Sequence, residues 1–232
     1  MTHPAVHVII PVYNGERFLG EAIESVLRQT YAGPIELTVV DDGSTDASAT
    51  VAEGYESVRV VRQENAGQPV ALNRAVELSE APLVAFLDAD DVWVPEKLEW
   101  QVAAMTDDVD VVVGLTEQFA QEGLPDAAAR FEALPPAHRV MEARLPSAVL
   151  IRREGFYTAG PFSIEAGVAN VVEWYTRVQD SGLREAVVPH VVYRRRIHDA
   201  NIGIRQKEQA REDYLAIVKA ALDRRRATSS TG

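Results

Sequence analysis

The chain has 232 residues, no cysteine and a formal net charge of -12, with 35 acids against 23 Lys and Arg. Disulfides, zinc–thiolate sites and thiol nucleophiles are excluded, and the acidic balance argues against non-specific binding to nucleic acid or an anionic membrane. A hydrophobic share of 47% and a charged share of 25% are ordinary for a globular protein with ample chain for a core. No apolar run approaches the ~20 residues of a membrane span. The N-terminus lacks the basic-then-apolar order of a signal peptide. A cytoplasmic, soluble protein is expected.

The first half alternates strands and helices. Val6 to Val12 is an apolar, β-branched run closed by Asn14-Gly15 and reads as a buried strand. Glu16 to Gln29 carries Phe18, Leu19, Ala22, Ile23, Val26 and Leu27 at helical spacing. Ile35 to Val40 is a second strand ending in Asp41-Asp42-Gly43-Ser44-Thr45-Asp46, with Ser44 or Thr45 placed to cap a short helix. Val58 to Val61 is a third strand. Asn65 to Pro69 turns into a helix over Val70 to Leu78, and Leu83 to Leu87 is a fourth strand. Four such alternations predict βαβ units and a parallel sheet.

Pro95 opens a further helix with Leu98, Trp100, Val102 and Met105 toward the core, and Val109 to Leu115 is strand-like. From Thr116 to Pro146 the rhythm fails, apart from a short helix around Asp126 to Ala133, and a functional loop is expected there. Strands follow at Ser147 to Ile151 and Ala186 to Tyr193, with a helix at Val168 to Asp180. Ile204 to Arg226 predicts an amphipathic helix that fits its own domain or a second copy in a homodimer. It ends in the basic run Arg224-Arg225-Arg226, which favours the helix dipole. No repeat and no Gly- or Ser-rich linker divides the chain, so one domain over 1–232 is expected.

The chemistry concentrates where strands end in acids. Asp88-Ala89-Asp90-Asp91 places three carboxylates within four residues, and Asp41-Asp42 closes another strand. In a parallel sheet both clusters lie on one edge, where ligands of open α/β sheets bind. Such mutual repulsion suits a divalent cation of the Mg²⁺ or Mn²⁺ kind; a solvated acidic loop before the Pro95 helix is the alternative. There is no G-x-G-x-x-G and no Walker sequence, which argues against a dinucleotide or P-loop site.

Four ordered motifs resemble glycosyltransferase family 2, with the GT-A nucleotide-diphospho-sugar transferase fold. They are Val8-Ile9-Ile10-Pro11-Val12-Tyr13-Asn14, Val39-Val40-Asp41-Asp42-Gly43-Ser44-Thr45-Asp46, Asn65-Ala66-Gly67 and Phe86-Leu87-Asp88-Ala89-Asp90-Asp91. Thinner likeness continues through Val149 to Arg153, Gly160-Pro161-Phe162 and Tyr193 to Asn201. The resemblance implies an α/β fold with a mostly parallel sheet flanked by helices. It implies a nucleotide-sugar-binding half over 1–115 and an acceptor-side half over 116–203. It implies transfer from a nucleotide-diphosphate sugar, UDP-linked by preference, to an acceptor hydroxyl, inverting, with Mn²⁺ or Mg²⁺ as cofactor. Pro11, Val12 and Tyr13 would line the base pocket. Asp41 or Asp42 would accept from the base or ribose. Asp88 would meet the ribose or donor sugar, and Asp90 with His198 would hold the cation. Asn201 would orient a phosphate or its own loop.

Two departures stand out. The Glu-Asp pair that carries the general base in the family is replaced by Asn170-Val171, and valine accepts no proton. Glu173 is the substitute catalytic base, with Glu165 as a second candidate. Leu72 stands where relatives carry Arg, and Arg74 is the nearest replacement for that ligand contact. Two other functions fit less well. One is a non-catalytic nucleotide-sugar or partner-binding protein, motivated by Val171. The other is a sugar-phosphate nucleotidyltransferase, disfavoured because Asn14-Gly15-Glu16-Arg17 follows the first strand in place of a Gly-rich basic signature.

Overall fold

The structure, a computed structural model, describes residues 3–142 and 144–199. The expected helix over 204–226, its Arg224–Arg226 run and Asn201 lie outside the described residues. In chain order the first elements are β1 (Val6–Val12), α1 (Leu19–Leu27), β2 (Ile35–Asp41), α2 (Ser48–Glu53), β3 (Val58–Arg62), α3 (Gln68–Val76) and β4 (Leu83–Phe86). Then come β5 (Val92–Trp93), α4 (Lys97–Ala104), β6 (Val111–Ala120), α5 (Pro125–Glu132), α6 (Pro136–Arg139) and β7 (Val140–Glu142). The last are β8 (Val149–Arg152), α7 (Arg153–Ala159), α8 (Asn170–Asp180) and β9 (Glu185–Ile197).

All seven residues of β1 are buried because β2 and β4 flank it, both parallel. A strand covered on both faces reads as a continuous apolar run. β3 adds to β2 in the same sense, and its partly exposed residues mark the sheet edge. The order continues β4-β8-β6-β9-β5. β8 is antiparallel to both β4 and β6, and β9 is parallel to β6. β9 therefore runs in the same sense as β1, β2 and β4, and all four end on one edge of the sheet.

Alternate side chains of β1 feed two cores. Val8 and Ile10 meet Leu19, Ala22, Ile23 and Val26 of α1 and Leu98 of α4 on one face. Ile9 meets Ala71, Leu72, Ala75 and Val76 of α3 on the other, together with α7 and α8. Leu72 is thus a core residue. Phe86, Phe156, Phe162 and Trp174 cluster on that second face with ring centroids 4.7 to 6.1 Å apart. His7 is fully buried in β1, its Nε2 2.9 Å from Thr38 Oγ1.

Several boundaries differ from expectation for local reasons. β6 runs on through Ala120 because Thr116 to Ala120 pair with Tyr193 to Ile197; the polar Thr116-Glu117-Gln118 hides this in the sequence. Together with this extension of β6, the elements α5, α6 and β7 fill most of the segment read as irregular. α1 begins at Leu19, after a turn in which Gly15 O accepts from Phe18 N and Leu19 N. Ser44 and Thr45 do not cap α2: Ser44 Oγ accepts from Asn14 N, and Asp46 Oδ1 accepts from Ser48 N. The two-residue β5 and the seven-residue α7 were too short to stand out as periodic patterns.

Candidate active site

The acids at the ends of β2 and β4 share the carboxyl edge with the end of β9. On the β2 side their role is to shape two loops. Asp42, 3% exposed, accepts from Gln63 Nε2 (2.7 Å), Ala66 N (2.9 Å) and Gly67 N (2.8 Å). Gly67 has φ +92° and Gly43 φ +76°, and a Cβ on Gly43 would lie 2.8 Å from Asn65 N, so glycine is required at both. Asp41 Oδ1 accepts from Ser44 N at 3.0 Å. The loop after β1 is laced to the loop after β2: Thr45 N donates to Asn14 Oδ1 (2.8 Å), Ala47 N to Glu16 Oε2 (2.8 Å) and Glu16 N to Asp46 Oδ2 (3.1 Å). Pro11 and Val12 lie buried within β1, while Tyr13 is 54% exposed at the rim. Arg74 is exposed on α3, 3.4 Å from Gln63 Oε1 and so one link from Asp42.

After β4 the three acids part company. Asp88 Oδ1 accepts from Gln68 Nε2 at 2.9 Å, and its Oδ2 accepts from Ser147 Oγ at 3.2 Å. Burial, and then the charge of Asp90, push the Asp88 carboxyl up to about 6. Asp91 is 3% exposed and accepts from Arg196 N at 2.8 Å; burial first, then Asp90 and Asp88, hold its pKa well above the usual carboxylate range. Asp91 therefore tethers β9. Asp90 Oδ2 lies 2.9 Å from His198 Nε2.

His198 is placed by its surroundings. Its ring packs on Phe18 with centroids 4.8 Å apart, and its carbonyl accepts from Arg130 Nη1 at 3.4 Å. Two residues earlier, Arg196 is 3% exposed. Its Nε donates to Asp90 O (2.9 Å) and its Nη2 to Glu21 Oε2 (2.7 Å), and its guanidinium lies 4.6 Å from the Phe18 ring and 4.8 Å from Phe119. Arg17 pairs with Asp199 at 3.4 Å. A carboxylate oxygen and an imidazole nitrogen thus converge at the end of β9. Among the described residues no group of three or more His, Cys, Asp or Glu side chains is placed to hold a metal. The donor set fits a hard divalent cation that keeps open positions for water and phosphate oxygens.

The start of α8 differs. Tyr175 in the middle of α8 bonds Glu185 at the start of β9, so α8 runs against β9 and its first turn lies toward the carboxyl edge. Trp174 packs on Phe86, two residues before Asp88, with centroids 5.8 Å apart. Asn170 is 4% exposed; its Nδ2 donates to Gly167 O at 2.9 Å, and its Oδ1 has no partner among the described residues. Val171 packs against the core. Both Glu173 oxygens accept from Arg177, from Nε at 2.7 Å and Nη2 at 2.9 Å. Arg177 also donates to Pro161 O (2.6 Å) and Ala159 O. Glu165 is exposed in the preceding loop.

The sequence reading missed three residues. Gln68 followed directly on a recognised motif and was within reach. Ser147 and the buried Arg196 carried no local signal, since only the folded sheet brings them to Asp88 and Asp90.

The model of the family described as Glycosyl transferase family 2 matches residues 7–162, well over half of the chain. An uncharacterized glycosyltransferase of Rickettsia prowazekii is 41% identical over 113 residues, covering 47% of this chain and 35% of the relative. The chain thus spans about a third of that relative's length. S. aureus TarS, solved in complex with UDP, superposes with a TM-score of 0.69 at 21% identity, over 95% of this chain and 64% of that one. Mannosyltransferase PcManGT from Pyrobaculum calidifontis, solved with GDP-Man and Mn²⁺, gives a TM-score of 0.66 at 22% identity, over 89% and 61%. At these identities the structures speak for the fold, and it is the GT-A α/β architecture that the motifs implied. No described helix is long and apolar enough to cross a membrane.

Proposed function

Since this chain belongs to glycosyl transferase family 2, we propose that it moves a sugar from a nucleotide-diphosphate sugar, UDP-linked by preference, to an acceptor hydroxyl, with inversion. The observation that carries the reading is the meeting of Asp90 Oδ2 and His198 Nε2 at 2.9 Å on the carboxyl edge, beside Asp88. Tyr13 offers the exposed aromatic face for a base, and Asp41, in register with Val12, would accept from the base or ribose. Asp42 and Gly67 keep the adjoining loop in shape. Asp88, fixed by Gln68 and Ser147, would accept from ribose or sugar hydroxyls. Asp90 and His198 would hold Mn²⁺ or Mg²⁺, and such an ion supplies Lewis-acid charge neutralisation to a departing diphosphate. Residues 116–199 would face the acceptor.

An attacking acceptor hydroxyl must give up its proton to a base. Glu173 stays our candidate base, and to serve it must part from Arg177 when the acceptor binds. The first experiment is calorimetric titration of UDP, GDP, TDP and CDP, each with and without Mn²⁺, against wild type and Asp90→Ala. We expect one nucleotide to bind only when both Mn²⁺ and Asp90 are present. If no nucleotide binds with metal, the donor-site reading fails. A second reading, a protein that binds a nucleotide sugar without transferring it, is favoured by Asn170-Val171 and by the Glu173–Arg177 pair. Donor binding with neither transfer nor hydrolysis of the donor would select it.

A further inference from the structure

We infer that Trp93, Lys97 and Gln101 form a buried ladder that positions Asp88 for the nucleotide sugar, an inference that rests on the proposed role of Asp88 in donor binding. Lys97 and Gln101 are four apart on α4 and share a face, and the Trp93 ring, from the end of β5, lies against Lys97. Each donates to one of three successive carbonyls ahead of or at the start of β8. Trp93 Nε1 donates to Ser147 O at 3.1 Å, Gln101 Nε2 to Ala148 O at 2.8 Å and Lys97 Nζ to Val149 O at 3.4 Å. Within the ladder Lys97 Nζ also donates to Gln101 Oε1 and lies 4.5 Å from the centre of the Trp93 ring. Gln101 Nε2 reaches Val112 O of β6 as well, at 3.1 Å.

The segment so held carries the residue that grips Asp88. Pairing between β4 and β8 stops at Ala85 and Leu150. Beyond it the two segments meet again through Ser147 Oγ, which accepts from Asp88 N at 3.1 Å and donates to Asp88 Oδ2 at 3.2 Å. One hydroxyl can do both, since it has one proton and two lone pairs. Ser147 therefore fixes the backbone and the carboxylate of Asp88 together, and the ladder fixes Ser147.

The cost of this arrangement argues that it has a purpose. Lys97 and Gln101 are fully buried, and Trp93 is 4% exposed. Desolvation pulls the Lys97 amine well below the usual lysine pKa. A core position can be filled by an apolar side chain at lower cost than by an amine. An apolar residue at any of the three, however, would take a side-chain donor from one of the carbonyls of 147–149. Trp93, Lys97 and Gln101 are positioning residues: they act on a ligand through Ser147 and Asp88.

The test needs a readout that general destabilisation does not move. Amide hydrogen exchange at Asp88, whose N–H goes to Ser147 Oγ, is compared with that at Leu87, whose N–H goes to Ile9 O at 3.0 Å. In Lys97→Met and in the milder Trp93→Phe, Asp88 should exchange about tenfold faster relative to Leu87, one hydrogen bond's worth. Equal acceleration at both amides would reduce the ladder to ordinary core packing and overturn the inference. Should Lys97→Met not fold, Trp93→Phe, which removes the indole donor and part of the ring volume, decides alone. The affinity for UDP–Mn²⁺ or GDP–Mn²⁺ should fall about tenfold in the same variants, and no further when Ser147→Ala is added. Additive losses would overturn it. If Asp88→Ala leaves nucleotide affinity unchanged, the donor-site reading fails, and the exchange ratio still judges the ladder.

Discussion

The carboxyl edge of the sheet and the first turn of α8 are built on opposite plans. On the donor side every acid has a defined partner: Asp42 binds three N–H groups, Asp88 is held by Gln68 and Ser147, and Asp91 tethers Arg196. At the first turn of α8 an amide and an isopropyl group occupy the positions where the family resemblance implies acids. The one carboxylate there, Glu173, is clamped by Arg177. A chain that fixes the acids of the carboxyl edge in such detail, yet commits Glu173 to Arg177, makes holding a donor and activating an acceptor separate properties in the proposed reaction. The two properties can be lost independently.

The sharpest way to break the comparison is Asp90→Ala. Losing the residue that meets His198 should cost roughly a thousandfold in kcat/KM, about 4 kcal/mol, while the melting temperature barely moves. An unchanged kcat/KM would detach the acids from function altogether. Next comes the pH range in which the two sides can be compared. His7, on β1, is lowered to about 4 by burial and then by Arg153, against 6.5 when unfolded. The folded state binds fewer protons than the unfolded state between these values, so stability is full above about pH 6.5 and declines as pH falls toward 4. The loss amounts to about 3 kcal/mol. Urea unfolding of wild type and His7→Gln between pH 7 and 4 should show the smaller decline in the variant. Parallel declines would remove His7 from the account.

Val171→Asp sharpens the contrast from the other side. A carboxylate at the helix start should raise transfer up to about a hundredfold with donor affinity unchanged, if proton removal is what limits the reaction. No gain in turnover would move the deficit elsewhere. Glu173→Gln has the smallest expected effect on stability, about 1 kcal/mol from the weakened clamp on Arg177, read as a shift of a few degrees in melting temperature. Transfer abolished in a variant that melts normally would identify Glu173 as the base; transfer retained would leave it a structural acid.

The donor side was legible in the sequence because its signals are local. Pro11 to Asn14, Asp41 to Asp46 and Asp88 to Asp91 each lie in one loop at the end of one strand, and a buried parallel strand announces itself as a continuous apolar run. What stayed hidden depends on pairing between distant segments. Thr116 to Ala120 read as loop because a polar strand is recognisable only beside its partner, Tyr193 to Ile197. Ser147 lies 59 residues from Asp88 in the chain, and Arg196 lies 106 from Asp90. No spacing rule joins such pairs. Nothing local in the sequence marks Lys97 as interior; only the packing of α4 against the sheet buries it.

β9 carries one further implication, a matter of parity. Its pairing with β6 shifts register between Val113 and Thr116, so that Val113 faces Val187 but Thr116 faces Tyr193. Six residues of β9 are matched there by three of β6. Beyond that irregularity Arg196 and His198 turn to the same side and both reach Phe18. Side chains alternate along a strand, so one residue gained in the irregular stretch would turn both away and present Arg195 and Ile197 in their place, and one residue lost would present Ile197 and Asp199. Two residues gained or lost would leave the facing intact. The chain length between Val187 and Tyr193 thus decides which side chain of this segment reaches Phe18: an odd change reverses the facing, and an even change keeps the facing but sets a different residue where His198 stands.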